Sequence, residues 1–455
     1  MVTLPVVLDS SVRRLAGGRI LLGGDQGRLV RLRPGAEAAL SRLAYGEEPA
    51  VRTRARTLVR GGLAHPRPQP VTARDVTVVV PVRDRSRELA RCLTALGTKL
   101  PVLVVDDGSA DPTEVAAVCA AHGAQVLHLP ANVGPGGARN AGVGATSTSL
   151  LAFVDSDCVP PPDWLDRLVG HLDDPVVGAV APRVRGSGGD CLLQRYAVDR
   201  GPLDLGRREA EVRPGSRVPY VPTAALLVRR AALPAGPFDP ALRYGEDVDL
   251  VWRLHDAGWS VRYDPRVVVR HDEPTRWGSW LRRRHHYGTS AAPLAQRHGD
   301  RLTPLVVPPW TTAAWLLLLS GRPLPAIAAA AVPAFRLHHR LRRTGLPLGE
   351  CASTAASFAA QGVLATGAGL GGAGTVVTGP LLGGLLLSGR TRRIAVAALL
   401  APPLLEWVGR RPRLDPLTWS AVRLVDDLAY ASGVWRGCWR ARTTRPLRPS
   451  RHRPR

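Results

Sequence analysis

The amino-acid sequence predicts an α/β protein built around a mainly parallel β-sheet. Between Val71 and about Asp300, short runs of β-branched residues alternate with helical stretches. Two of these runs stop at pairs of aspartates, which is typical of strands whose carboxyl ends line a ligand site. The chain has 455 residues, enough for several structural units with a sizeable hydrophobic core.

Four apolar runs are the candidate buried strands, at residues 76–80, 102–105, 126–129 and 150–154. Helical stretches lie between them, at residues 88–96 and 113–121. This alternation of strands and helices favours a parallel arrangement, because parallel neighbours need a crossover connection.

The first 70 residues predict a small separate module. Residues 19–22 and 28–32 are typical of a hairpin across the turn GGDQG, and residues 35–43 and 51–63 are helical in pattern. The loop HPRPQP, residues 65–70, has the composition of a linker. We therefore expect a module at residues 1–70, the α/β domain at 71–300 and an apolar helical region at 301–440.

The apolar region predicts association with a membrane. Its candidate helices cover residues 306–320, 323–335, 352–388 and 394–408, and only 352–388 is long enough to cross a bilayer. Arginine clusters punctuate the region, which favours shallow hairpins at the cytoplasmic face. Residues 417–439 mix tryptophan with arginine, as an interfacial helix does. We expect the basic tail at residues 441–455 to be disordered.

Composition and charge narrow the choice of binding partners and of cellular compartment. The formal net charge is +24, and its concentration beside the apolar region favours a membrane surface over nucleic acid. The six cysteines form no CxxC pair or zinc-type cluster, so a reducing compartment is the simplest interpretation. The amino terminus also lacks the basic segment of a signal peptide. We expect a membrane-associated protein at the cytoplasmic face.

The first site motif is VLVVDDGSADPTEV, residues 102–115, where a buried strand ends in Asp106 and Asp107. A nucleotide would bind at such a strand end, and either carboxylate could accept the imide N–H of uracil. The alternative is that these residues form only a turn and a helix start.

The second motif is LLAFVDSDCVPPPDWL, residues 150–165, where a strand stops at Asp155 and Asp157. Two carboxylates at this edge suit a hard cation such as Mg²⁺ or Mn²⁺, which would bridge the diphosphate of a sugar nucleotide. A charged loop after a strand is the alternative. The presence of both acidic motifs, in this order, strengthens the interpretation of each.

The third motif, NVGPGGARNAG at residues 132–142, combines glycines with Arg139, a fixed cation able to grip phosphate. A plain glycine-rich loop is its alternative.

The fourth motif places Glu246 and Asp247 at the start of an amphipathic helix. Acids there are ordinarily partners of the helix dipole, but a transferase needs a carboxylate to accept the proton of its acceptor hydroxyl. Asp247 is the candidate base.

These four segments together resemble the family 2 glycosyltransferases with the GT-A (Rossmann-like) fold, over residues 75–287. The resemblance implies an inverting transferase that uses a UDP-sugar and Mg²⁺ or Mn²⁺. It assigns the donor-binding, metal-binding and catalytic roles as follows: Pro81, Arg83, Asp106, Asp107, Arg139 and Asp155 to the donor, Asp155, Asp157 and His271 to the metal, and Asp247 with Glu246 to catalysis. Processive relatives carry a Gln-x-x-Arg-Trp segment where this chain has RRRHHYG, which puts long-chain processivity in doubt.

The flanking segments suggest an acceptor. The first 70 residues resemble PqqD-like modules that bind the peptides of ribosomally made natural products. The whole arrangement resembles actinobacterial transferases that attach β-1,4-linked glucose to a redox cofactor derived from a small peptide. Rival interpretations are a transferase acting on a polyprenyl-phosphate lipid or a cell-wall polysaccharide, a non-catalytic peptide scaffold and a nucleotidyltransferase.

Overall fold

The computed structural model describes residues 5–24, 27–33, 56–302, 307–387, 389 and 392–449. The chain divides into two compact units. The first unit holds Met1–Arg14 and Gly18–Pro274, and the second holds Leu15–Gly17 and Thr275–Arg455. The sheet and the motifs with acidic residues all belong to the first unit.

Five short strands precede the main sheet: β1 (Val6–Leu8), β2 (Arg13–Leu15), β3 (Ile20–Gly23), β4 (Arg28–Arg31) and β5 (Ala64–Pro66). The antiparallel pair β3–β4 confirms the predicted hairpin. Residues 56–60 are helical, whereas residues 34–55, which include the rest of the predicted helices, lie outside the described residues.

The linker interpretation of residues 65–70 is wrong at its start. His65 lies in β5, which pairs with β1, and its side chain is buried. The His65 Nε2 atom is 2.8 Å from Oδ2 of Asp9, and the same carboxylate oxygen accepts a hydrogen bond from Arg217 at 3.1 Å. A buried aspartate needs such partners, so this segment is tied into the first unit by its polar side chains.

The first unit is built on a sheet of nine strands within the described residues. These strands are β6 (Val76–Val82), β7 (Val102–Asp106), β8 (Gln125–His128), β9 (Leu150–Val154), β10 (Cys158–Val159), β11 (Val177–Gly186), β12 (Ala210–Val212), β13 (Ala225–Arg229) and β14 (Ser260–His271). The four predicted strands are therefore confirmed to within two residues.

The sheet is mixed in direction, with the order β10-β14-β11-β13-β9-β6-β7-β8 and β12 beside β14. Strands β9, β6, β7 and β8 are parallel, as predicted. Strand β13 runs antiparallel to both β9 and β11, so the expectation of a mainly parallel sheet holds only for part of it. The sequence ALLVR of β13 is a buried apolar run, which does not encode strand direction.

Six helices of the described first unit flank this sheet: α1 (Ser86–Leu96), α2 (Pro112–Ala121), α3 (Gly134–Gly144), α4 (Trp164–Val169), α5 (Leu192–Arg200) and α6 (Glu246–Asp256). Helix α3 lies very close to the sheet. A Cβ atom on Gly142 would come within 2.4 Å of Cγ1 of Val79 on β6. Glycine at this position therefore lets α3 approach the strands that carry the acidic motifs.

The second unit is helical. Its helices are α7 (Trp277–Thr289), α8 (Ala291–His298), α9 (Pro309–Leu319), α10 (Pro323–Arg342), α11 (Leu348–Leu387), α12 (Arg392–Arg410) and α13 (Pro416–Arg440). Helices α7 and α13 touch at glycines: a Cβ on Gly433 would lie 1.9 Å from the carbonyl oxygen of His285. The buried carboxylate of Asp426 also pairs with Arg284.

Helix α13 corrects two expectations from the sequence. It is more than an interfacial helix, because Trp419 and Val434 on it are buried within the helical unit. The tail is not disordered from residue 441, since residues 441–449 are described and Arg445–Leu447 form a 3₁₀ turn with Pro446 buried. Residues 450–455 lie outside the described residues.

The predicted apolar segments are confirmed as helices α9 to α12. Across the ranges that the structure describes, none of the helices combines the length and the apolar character needed to cross a membrane. Association of this unit with a membrane stays a prediction.

Candidate active site

The predicted site residues gather at the carboxyl ends of β6, β7 and β9 and at the start of α6. Strand β6 lies between β9 and β7, so the residues after these three strands are neighbours at one sheet edge. Backbone hydrogen bonds connect the strand ends: the Asp107 amide donates to the carbonyl of Val82, and the Asp155 amide donates to the carbonyl of Ala224. The end of β7 is therefore hydrogen-bonded to the end of β6, and the end of β9 to the residue before β13.

Asp106 and Asp107 do not present open carboxylates at this edge. Asp106 is 1% exposed; its Oδ1 accepts from the Ser109 amide at 3.0 Å, and its Oδ2 lies 2.9 Å from Nδ1 of His128. Asp107 accepts from the amides of Val133 and Gly134, at 2.7 and 3.0 Å. Asp107 thus holds the amino-terminal end of α3, where the helix dipole favours a negative charge. Both carboxylates therefore already have hydrogen-bond donors in this structure, and a direct contact of Asp106 or Asp107 with uracil stays a prediction.

Pro81 and Arg83 lie where the sequence placed them, at the end of β6. Pro81 is half-buried within the strand, and Arg83 is exposed just after it, with its Nε 3.5 Å from Oδ2 of Asp84. Asp84 accepts from the Ala110 amide, so the loops after β6 and β7 are hydrogen-bonded to each other. Arg83 is an exposed cation at this part of the edge, within the reach of a ligand phosphate.

Each aspartate of the Asp155-Ser156-Asp157 triplet is paired with an arginine. Oδ1 of Asp155 accepts from Nη2 of Arg139 at 2.6 Å, and Oδ2 of Asp157 accepts from Nη1 of Arg85. Asp157 is buried, whereas the Asp155 side chain is 30% exposed. Asp155 is thus the acid of this motif that faces solvent.

Arg139 is not a surface cation aimed at phosphate, as the sequence suggested. Its side chain is 3% exposed, and it joins two carboxylates: Asp155 at 2.6 Å and Oε1 of Glu246 at 2.8 Å. Burial alone would lower the pKa of the guanidinium, but the charges of Asp155 and Glu246 raise it above its usual range. Arg139 therefore links the acidic motif after β9 to the acidic start of α6.

Asn140, next to Arg139, fastens α3 to the segment before α6. Its Nδ2 donates to the carbonyl of Phe238 at 2.6 Å, and its Oδ1 accepts from the Phe238 amide at 3.0 Å. The Phe238 ring packs edge-on against Phe153 of β9 with the Arg139 guanidinium 5.6 Å from its centroid. This two-point clamp fixes the position from which α6 begins.

Glu246 and Asp247 open α6 and have unusual acidities. Burial raises the pKa of Asp247 to about 7, and the negative charge of Glu246 adds to this effect. Burial also raises the pKa of Glu246, although Arg139 opposes the shift. A carboxylate with a pKa near neutrality is matched to general-base work at physiological pH. Asp247, which is half-buried rather than fully covered, is the member of the pair that a substrate can reach.

His271 lies at the end of β14, beside the acidic triplet. Its Nε2 is 3.5 Å from Oδ1 of Asp157, and its Nδ1 is 3.1 Å from Oε1 of Glu273. A carboxylate partner at one ring nitrogen is the usual way to orient a metal-binding histidine. Two carboxylates and an imidazole also suit Mn²⁺ or Mg²⁺ chemically. Among the described residues, however, no three His, Cys, Asp or Glu side chains form a ready-made metal cluster.

The sequence interpretation missed three residues of this edge: Arg85, His128 and Asn140. Arg85 could have been suspected from the basic loop that follows β6, and Asn140 from its place beside Arg139 in the glycine-rich motif. His128 ends an ordinary strand, and no sequence signal distinguishes it. The structure reveals each of them through its contact: Arg85 with Asp157, His128 with Asp106, and Asn140 with the backbone of Phe238.

Comparison with known proteins agrees with this architecture. The family model described as glycosyl transferase family 2 matches residues 77–234. This region contains β6 to β9 and the acidic triplet. The chain belongs to glycosyltransferase family 2, with the GT-A fold, and it is an enzyme of glycosyl transfer.

One curated relative matches nearly the whole chain. The pre-mycofactocin glycosyltransferase of Mycobacterium tuberculosis is 41% identical over 462 aligned residues, which cover 98% of this chain and 97% of the relative. The glycosyltransferase AglE of Haloferax volcanii is 30% identical and covers 47% of this chain and 71% of its own length. The resemblance to the mycofactocin-system glycosyltransferases is thereby confirmed.

Solved structures of glycosyltransferases are also similar. A mannosyltransferase from Pyrobaculum calidifontis in complex with GDP-Man and Mn²⁺ is 20% identical, with a TM-score of 0.40, over 82% of this chain and 96% of the other. Glucosyl-3-phosphoglycerate synthase from Mycobacterium tuberculosis is 19% identical, with a TM-score of 0.35, over 49% of this chain and 80% of the other.

The raised pKa of Asp247 predicts how transfer depends on pH. A general base works only when unprotonated, so kcat/KM should rise about tenfold per pH unit below pH 7 and level off above it. Asp247→Asn should lower kcat by roughly 10² to 10⁴-fold and abolish this slope. The measurement is a pH–rate profile of sugar transfer between pH 5 and 9. Asp256→Asn, at the exposed end of the same helix, is the matched control and should keep the wild-type profile.

A folding check separates this loss from a structural one. An acid whose folded-state pKa is raised from 3.8 to about 7 stabilises the protein at low pH, and this stabilisation disappears as pH rises toward 7. Asn does not ionise, so Asp247→Asn should melt no lower than the wild type at pH 8. An active Asp247→Asn protein with an unchanged pH profile would refute the base assignment.

Proposed function

We propose that the protein transfers glucose from a UDP-sugar to a peptide-derived redox cofactor, mycofactocin, and builds a short β-1,4-linked oligosaccharide with inversion at the anomeric carbon. The observation that supports it best is the connection of Asp155 to Glu246 through Arg139, which holds the donor-side acid next to a base with a pKa near 7. The acceptor is supported by the name of the relative that matches 98% of the chain.

In the proposed reaction, the chain's own residues orient the two substrates and move one proton. Asp247 accepts the proton of the acceptor hydroxyl while that oxygen forms a bond to the anomeric carbon. The bond from this carbon to the nucleoside diphosphate breaks on the opposite face, and the diphosphate leaves with the electron pair. Arg83, exposed at the end of β6, is placed to bind the phosphates of the donor.

Asp155, Asp157 and His271 are the residues that would hold a divalent cation. When bound, such an ion supplies positive charge that stabilises the departing diphosphate. Arg85 and Arg139 pair with the two aspartates and orient these carboxylates at the sheet edge.

The experiment incubates purified protein and Mn²⁺ with UDP-glucose, UDP-galactose or GDP-mannose, and with either the peptide-derived cofactor or a polyprenyl phosphate. Mass spectrometry of the acceptor should show additions of one hexose from UDP-glucose to the cofactor. Chelation with EDTA should stop transfer and added Mn²⁺ should restore it. Asp157→Ala should be inactive, whereas Asp163→Ala, at an exposed position in the following loop, should be as active as wild type.

Transfer to polyprenyl phosphate alone would replace the cofactor proposal with the lipid alternative. Transfer to a polysaccharide primer, supplied as a third acceptor, would favour the cell-wall alternative. Absence of any transfer or donor hydrolysis across the panel would contradict the enzymatic proposal itself.

We also propose that the helical unit docks on the cytoplasmic face of the membrane through the turn between α9 and α10. Large aliphatic side chains at this turn are half or more exposed: Leu316, Leu318, Leu319, Leu324 and Ile327. Arg322 is exposed in the turn itself. Clustered apolar side chains beside a cation are typical of shallow insertion into an anionic interface.

Charge substitutions in this turn test the membrane proposal. The triple variant Leu319→Glu, Leu324→Glu and Ile327→Glu should lose most of its co-sedimentation with vesicles that contain anionic phospholipid. Leu348→Glu, at another exposed leucine of the same unit that lies outside the predicted apolar and interfacial segments, is the control and should still sediment. Circular dichroism checks that both variants stay helical. Equal sedimentation of the triple variant and the wild type would contradict the proposed insertion.

A further inference from the structure

The end of β8 carries a polar group that faces solvent beside the predicted nucleotide-binding strand. Asp106 on β7 and His128 on β8 are register partners in the parallel pair. Oδ2 of Asp106 lies 2.9 Å from Nδ1 of His128. The carboxylate is 1% exposed, whereas the imidazole is 40% exposed. A ligand at this edge would therefore meet the imidazole, with the aspartate behind it.

The contact defines which ring nitrogen of His128 carries the proton. An ionised carboxylate only accepts hydrogen bonds, so Nδ1 must be the donor to Asp106. In the neutral imidazole, Nε2 is then a hydrogen-bond acceptor. Oδ1 of Asp106 accepts from the Ser109 amide at 3.0 Å, which fixes the carboxylate. The pair thus presents one oriented acceptor at the strand end.

We infer that His128 recognises the uracil base of the donor by accepting its imide N3–H at Nε2, and that Asp106 is a positioning residue for His128. This inference rests on the proposed UDP-sugar donor. The sequence predicted that Asp106 itself could accept this hydrogen bond. In the structure the Asp106 carboxylate is buried, and the exposed group that it holds is the imidazole of His128. Cytosine has an acceptor in place of the imide N–H, so the same histidine disfavours cytidine nucleotides.

The residues next to His128 along the sheet edge are suited to the rest of a nucleotide. Arg83 is exposed and directly follows Val82, the register partner of Asp106 on the neighbouring strand β6. A nucleotide with its base near His128 can extend its phosphates along the edge toward Arg83 and the acidic triplet. The order of β8, β7, β6 and β9 across the sheet follows the order of base, ribose and diphosphate in the donor.

The test compares the binding of UDP and CDP to the full-length protein by isothermal titration calorimetry in the presence of Mn²⁺. Wild-type protein should bind UDP at least tenfold more tightly than CDP, because N3 of cytosine and Nε2 of His128 are both acceptors and neither would meet a donor in the complex. His128→Ala should reduce this ratio to near one, mainly by weakening UDP. His122→Ala, at a histidine at the end of α2 away from the carboxyl edge, is the control and should keep the wild-type ratio.

The ratio of the two affinities separates positioning from structural damage. Asp106→Ala should lower the ratio, while Asp106→Asn should keep most of it, since the amide oxygen still accepts from Nδ1. A variant that only disturbs the fold would weaken UDP and CDP equally. UDP binding with an unchanged ratio in His128→Ala would overturn the assignment of His128 and leave the proposed donor standing. If the wild type binds no uridine nucleotide, the donor proposal fails and the assignment fails with it.

Discussion

The buried guanidinium of Arg139 is the interaction on which the candidate site depends. It is 3% exposed and pairs with Asp155 and Glu246, two acids from motifs about 90 residues apart in the chain. Removing a charge from water is costly unless its partners are close and well oriented. Here one cation balances two carboxylates, so the acidic edge can be assembled without a large repulsive energy. Asp247 then lies beside Glu246, whose charge helps to raise its pKa toward neutrality.

Small residues and backbone contacts make this pairing possible. Gly142 allows α3 to lie against β6, and Asn140 clamps α3 to the backbone of Phe238. Phe238 in turn packs on Phe153, the residue of β9 that lies two positions before Asp155. The acid after β9, the cation on α3 and the acids on α6 are therefore held as one packed group. The same rigidity suits a transferase that must align a sugar donor and an acceptor hydroxyl.

The sequence predicted which residues form the site better than it predicted their roles. Buried apolar runs revealed β6, β7 and β9, and the acids at the ends of these strands lie at one sheet edge. The hydrogen-bond partners of these side chains were not predictable, because a sequence motif does not show whether Asp106 faces a ligand or His128. The direction of β13 and the strand at His65 were missed for a related reason. An apolar run is compatible with either direction, and a proline-rich segment can still pair when one side chain is anchored by a buried acid.

The most direct test of the account is a double-mutant cycle between Asp155→Asn and Glu246→Gln, read as the free energy of unfolding in urea. Residues that share one buried cation should be non-additive, with a coupling energy of about 1 kcal/mol or more. The part of the coupling that Arg139 carries should be lost when the cycle is repeated in an Arg139→Met background, which leaves only the direct repulsion between Asp155 and Glu246. Additive effects in the presence of Arg139 would contradict the claim that this arginine joins the donor-side acid to the catalytic helix.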